Sequence, residues 1–148
     1  MALQISQYKS PIGVLNLIAD DQILLGLNLS NVKALKDGLS QDDFQKGFKD
    51  VSKIPVVTDL LNDYFAGDIA AINGISVRQP GAPFSQAAWK AMRKVKGGKV
   101  LSYADLADRA GSPAAVRAAG SACAKNAIVL VVPCHRIVKT GGALGNYA

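Results

Sequence analysis

The sequence predicts an α+β fold in two parts: a small N-terminal α/β subdomain (hairpin plus helix) over residues 1–78, then a helical, winged-helix-like domain with a helix-turn-helix over residues 79–148. Three observations carry this. Two short leucine- and isoleucine-rich runs near the N-terminus flank a polar tight turn, the pattern of a hairpin. Residues 78–83, Arg-Gln-Pro-Gly-Ala-Pro, break regular structure and read as a linker. Beyond them two helical segments are separated by a short glycine-containing turn, which is helix-turn-helix spacing, although helix corners that never meet DNA share it.

The elements follow in order. Ser10, Pro11, Ile12 and Gly13 supply turn chemistry, and Val14–Ala19 and Ile23–Leu29 then flank Asp20, Asp21 and Gln22. Residues 31–53 are polar and weakly periodic, fitting a surface helix or a long connection. Val56–Phe65 places apolar residues at helical spacing and stops at Gly67, and Ile69–Val77 alternates enough to suggest a strand. In the second part Phe84, Ala88, Trp89, Met92 and Val95 recur at three and four residues until Gly97 and Gly98. Ser102 is placed to cap a helix over Tyr103–Arg109 closed by Gly111. Ser112 and Pro113 are placed to start a second helix through Ala124, and Ile128–Val132 reads as a buried strand.

With 148 residues, 49% of them hydrophobic and 19% charged, the chain can bury a core and is neither disordered nor fibrous in composition. No apolar run approaches the ~18 residues of a membrane helix, so no membrane association is expected. Two cysteines are too few to staple a secreted scaffold, and the N-terminal segment lacks a signal peptide's layout, so a reducing cytoplasm is the expected compartment. The net charge of +6 is unevenly placed. Residues 1–83 hold seven basic residues and nine aspartates, a net of −2, whereas residues 84–148 hold ten basic residues and two aspartates, a net of +8. Such a concentrated field suits nucleic acid, and it also suits many basic enzymes. The sequence contains no glutamate.

The chemistry concentrates at Pro133, Cys134, His135 and Arg136. Proline cannot continue a strand ladder, so the thiol is expected where the chain leaves the sheet and faces a pocket. A free thiol with a pKa of ~8.5 is a few per cent thiolate at neutral pH, and the neighbouring imidazole and guanidinium are expected to lower that value. Cys134 is thus a candidate nucleophile; a buried structural cysteine beside a surface histidine fits the same residues. Cys123, Cys134 and His135 lack the paired spacing of a zinc site, and neither a metal nor a cofactor is expected. Adjacent side chains on an extended chain point apart, so His135 is expected to reach the thiol through the turn or a water. Cys123 reads as a small core residue. Ala114–Ala122 carries almost no side-chain bulk except Arg117, fitting close approach to a partner or tight helix packing.

Val132-Pro133-Cys134-His135-Arg136-Ile137-Val138 resembles the active-site motif of the O6-alkylguanine-DNA alkyltransferases. The resemblance covers nearly the whole chain, from Ser10–Gly13 through Phe84, Trp89, Ser102, Tyr103, Arg117, Gly120 and Asn126 to Gly145, Asn146 and Tyr147. It implies a repair protein that moves an alkyl group from O6 of a flipped-out guanine in double-stranded DNA onto Cys134, once per molecule, as a monomer and without cofactor. It implies that His135 takes the thiol proton through water, that Tyr103 aids departure of the base and contacts its phosphate, and that Asn126 braces the active-site turn. The helix-turn-helix, with Ser112, would enter the minor groove, whose narrowness suits the small side chains of Ala114, Ala115, Ala118 and Ala119, and Arg117 would fill the vacated stack. Cys134 and Ile137 backbone groups and the loop of Gly145, Asn146, Tyr147 and Ala148 would close the substrate pocket.

The sequence also departs from that family. Ala127 stands where proline usually follows the asparagine, and the family continues past Tyr147 with a Gly-Gly segment and a last helix whose glutamate orients the histidine. Either the last helix is cropped or naturally missing from this sequence, or another group holds His135; as it stands the chain is expected to have a looser pocket and slower alkyl transfer than a relative with that helix. The alternative activity is non-catalytic binding of the alkylguanine lesion by the same fold, against which Cys134 itself argues.

Overall fold

The structure is a computed structural model, and it describes residues 1–138. Two compact units divide after Pro80.

The first unit is built on a four-stranded sheet in the order β3-β2-β1-β4. Strands β1 (Leu3–Ser10), β2 (Gly13–Asp20) and β3 (Ile23–Asn28) form an antiparallel meander, with a register shift at Ile18/Ala19. Gly13 at φ 123 and Asp21 at φ 55 make the two turns, in a region where glycine is unstrained and aspartate tolerated. β4 (Phe48–Asp50) pairs parallel with β1 after α1 (Val32–Asp37) and α2 (Gln41–Phe44). Leu15 to Ala19 of β2 are all buried, so that strand is covered on both faces. Leu3, Ile5, Ile18 and Leu25 pack with Leu35 of α1. α3 (Val57–Phe65) is tied to β1 by Tyr8, whose hydroxyl donates to Asn62 Oδ1 at 2.6 Å and whose ring stacks on Phe65.

Ile69–Val77 does not form the expected strand. Ile69–Gly74 is a 3₁₀ helix, and only Val77 makes a bridge, to Leu24. Within this stretch Ile72 and, just past the helix, Ile75 are buried, while Ile69 at its start stays exposed. Arg78 is anchored in this unit: its N–H donates to Leu24 O at 3.1 Å, and its guanidinium pairs with Asp43 at 2.7 and 3.2 Å and with Asp20 at 3.3 Å.

In the second unit α4 (Pro83–Met92), α5 (Tyr103–Arg109) and α6 (Val116–Lys125) pack pairwise. α4 starts with proline in its first turn and buries Ala88, Trp89, Ala91 and Met92. The Trp89 indole N–H donates to Ala122 O of α6 at 2.9 Å. A Cβ on Gly81 would lie 2.6 Å from that indole, so the approach requires glycine. Ser102 caps α5 as expected, its Oγ accepting from Asp105 N–H at 3.0 Å, and Gly111 ends the turn at φ 95. α6 starts later than Ser112 and Pro113 suggested. Ser112 O accepts from Ala115 N–H at 2.9 Å, which makes those residues a turn, and Ala115 precedes the helix without a side-chain cap.

Candidate functional site

Residues 128–132 are not the expected strand. Ile128 O accepts from Val132 N–H at 2.9 Å and Val129 O from Val131 N–H at 2.8 Å, so the run folds back on itself through Leu130 at φ 70. A branched side chain in that region stores strain of about 1–3 kcal/mol, sustained only where surrounding packing fixes it. Next comes an inverse γ-turn, with Pro133 at φ −82 and ψ 71 and Cys134 N–H donating to Val132 O at 2.8 Å. Asn126 locks both turns. Its Nδ2 donates to the same Val132 O at 2.8 Å, and its Oδ1 accepts from Ile128 N–H at 3.1 Å. Cys134, His135 and Arg136 then form one 3₁₀ turn, and Ile137–Val138 (β6) pairs parallel with Leu101–Ser102 (β5). Since Ser102 leads directly into Tyr103, this pairing sets the head of α5 beside the segment leaving the cysteine turn.

Cys134 is 4% exposed, on a chain that coils into a turn rather than leaving a sheet. The neighbouring cations do not draw its pKa down as expected. Burial raises it, opposed by hydrogen bonds from the Asn126 side chain and from the backbone of Cys134 and His135. Arg136 turns away and donates to Val95 O at 2.6 Å in the interior, fastening the turn to the segment after α4. His135 is half-buried and held below its usual 6.5, first by burial and then by the charge of Arg136, so its imidazole is neutral at pH 7. A protonated thiol thus sits next in sequence to a neutral base. Cys123 is buried and pushed up to about 12, by burial and by the nearby Cys134, as suits an inert core residue.

The remaining expected residues fall on two surfaces. Tyr103 is buried at the first position of α5 and Ile137 is buried in β6. Arg117, Ala114 and Ala118 are exposed and Ser112 half-exposed along the turn and outer face of α6, while Ala119, Gly120, Ala122 and Cys123 form its inner face. Small residues therefore occupy both faces; Ala119, expected at the groove, is instead fully buried on the inner one, and Arg117 projects outward with Val116 and Lys125 also exposed on this helix. Gly145, Asn146, Tyr147 and Ala148 lie outside the described residues. Among the described residues no group of three His, Cys, Asp or Glu is placed to hold a metal, and no helix is long and apolar enough to cross a membrane. The Trp89–Ala122 and Arg136–Val95 tethers and the strained Leu130 have no signature in local sequence, because each depends on a partner or a dihedral fixed by the fold.

The family described as 6-O-methylguanine DNA methyltransferase, DNA binding domain, matches residues 83–148. The methylated-DNA–protein-cysteine methyltransferase of Salmonella typhimurium is 34% identical over 143 residues, 94% of this chain and 84% of that protein. The constitutive enzyme of that name from Bacillus subtilis is 38% identical over 100 residues, 68% of this chain and 60% of that protein. Among solved structures, Mycobacterium tuberculosis OGT in complex with DNA superposes with a TM-score of 0.77 at 30% identity, covering 98% of this chain and 84% of that one. The O6-methylguanine-DNA methyltransferase of the archaeon Pyrococcus kodakaraensis shares the fold, with a TM-score of 0.67 at 20% identity over 98% of this chain and 90% of that one.

Proposed function

The chain belongs to the methylated-DNA–protein-cysteine methyltransferase family and so repairs alkylated DNA by alkyl transfer, and from that premise we propose that Cys134 is its acceptor. The observation that carries this reading is the turn locked by Asn126, which presents a protonated thiol beside a neutral imidazole. Burial makes a base necessary, since it keeps the proton on sulfur, and the same burial keeps His135 able to accept one. His135 takes the proton through a water, and the sulfur attacks the alkyl carbon in line. The S–C bond forms as the C–O6 bond breaks, guanine leaves with a proton donated from the Tyr103 hydroxyl, and the proton taken by His135 returns through solvent to the tyrosine. The product is a thioether, which does not release its alkyl group under mild conditions, so each molecule acts once.

The substrate is O6-alkylguanine in duplex DNA. A base stacked in a helix cannot meet the sulfur of a residue that is 4% exposed, so the nucleotide must be turned out, at a cost of a few kcal/mol. The outer face of α6 suits the narrow minor groove, because Ala114 and Ala118 let the backbone approach while exposed Arg117 enters the gap. The Cys134 and Ile137 backbone groups, with Gly145, Asn146, Tyr147 and Ala148, close around the base. The protein works as a monomer in the cytoplasm. Intact mass after incubation with a duplex containing O6-methylguanine tests the reading. One methyl group should replace one hydrogen, in Cys123→Ser as in the parent, and not in Cys134→Ser. Tight binding with unchanged mass would overturn transfer in favour of lesion recognition alone.

A further inference from the structure

We propose that a groove between α4 and α5, lined by Lys90, Lys94 and Arg109, is a second seat for the DNA backbone, separate from the helix-turn-helix face; this rests on the reading of the chain as a DNA-repair protein. The groove has a volume of about 340 Å³ and a floor of Ala87 and Ala91. Ala87, Lys90, Ala91 and Lys94 recur at the spacing of one helical stripe, so two methyl floors alternate with two ammonium rims. Arg109, in the last turn of α5, supplies the opposite wall.

All three cations are exposed, and none forms an ion pair among the described residues. Asp105 and Asp108, the acidic residues of this unit, do not line the groove. Like charges converging on one concavity repel each other, and an anion seated between them removes that repulsion. A polyanion fits better than a small solute for two reasons. Arg109 closes α5 just before the Gly111–Ser112 turn that leads into α6, the helix bearing Arg117, so a duplex engaging that helix passes the end of α5. Exposed Lys96 and Lys99 extend the same charge along the chain beyond α4. The alanine floor offers no hydrogen-bond pattern that would read a base, so the contact is to phosphate and indifferent to sequence.

The test is the salt dependence of duplex binding by the full chain carrying K90Q, K94Q and R109Q together. For every phosphate that a removed cation had neutralised, the log–log slope should become shallower by roughly 0.9, equally on plain and lesion-bearing duplex. Transfer from a free O6-benzylated base, which involves no duplex, reports whether the variant is folded. If the triple variant fails that control, Lys90→Gln alone should move the slope in the same direction by a smaller amount. An unchanged slope in a folded variant overturns the groove while leaving the repair reading intact. A parent protein that neither binds duplex in a salt-dependent way nor takes up an alkyl group overturns both.

Discussion

The two units handle charge in opposite ways. In the first, aspartates and cations answer each other: all five ion pairs among the described residues lie there, and Asp20, Asp43, Lys46 and Arg78 form one cluster. Asp43 is 4% exposed and held down to about 2, chiefly by Arg78. In the second unit ten basic residues face two aspartates, and no such cluster forms among the described residues. Charge in the first unit stabilises that unit's own fold. In the second unit Arg136 is engaged internally with Val95 O, and Asn126 and Trp89 supply neutral internal bonds, while exposed cations such as Lys90, Lys94, Arg109 and Arg117 form no ion pair among the described residues. Substitutions in the first unit should therefore move stability, whereas those on the surface of the second should move DNA handling.

The largest effect should come from the site itself. His135→Gln should slow single-turnover transfer by roughly 10²–10⁴, the usual contribution of a positioned base. Because its pKa is lowered, His135 stays neutral down to below 6.5. The parent's rate should hold as pH falls to that point and drop beyond it, while the variant's rate should lack this acid limb; a limb that survives in the variant would remove His135 from the base role. Asn126→Ala should follow, leaving Val132 O and Ile128 N–H short of a buried partner at a cost of about 1–3 kcal/mol in chemical denaturation. Its transfer rate should fall as well. An unchanged rate at lowered stability would make Asn126 a fold residue only.

In the first unit, Asp43→Asn should cost about 1–2 kcal/mol near neutral pH, allowing for the solvent around Arg78 and Lys46. The sign follows from the lowered pKa. Stabilisation by the carboxylate is fully present above the unfolded value of ~3.9 and is lost as pH falls toward 2, so parent and variant melts should converge in acid. Transfer from a free base should be unaffected. The smallest effect on stability, within about 0.5 kcal/mol, should come from Arg117→Ala on the exposed face of α6. Repair in duplex should nonetheless fall, with transfer from a free benzylated base retained. Equal losses on both substrates would contradict a role in base flipping.

Sequence and structure agree where a local signal determines geometry. Ser102 before Tyr103, Gly111 after Arg109 and the aspartate turn between β2 and β3 each satisfy a backbone need within a few residues. They part where the partner is distant. Leu3–Ser10 forms β1 because β2 and β4 offer ladders on both its sides, and β4 is placed by a parallel pairing across more than forty residues of chain. Ile128–Val132 shows the limit most clearly. Its aliphatic composition correctly announces burial, but burial does not say whether N–H groups find a neighbouring strand or, as here, carbonyls two and four residues back. The motif around Cys134 was legible as chemistry, and its electrostatics were not. Arg136 lies two residues from the thiol in sequence while its guanidinium belongs to Val95.

Trp89 is the chain's single tryptophan, and its indole bridges α4 to the helix that carries Arg117. The unlabelled protein thus has a built-in optical reporter at the seam between scaffold and reading helix. Any displacement of α6 against α4 when a duplex is engaged changes the polarity or hydrogen bonding around one fluorophore, so each docking event can be timed from intrinsic emission before any covalent product accumulates.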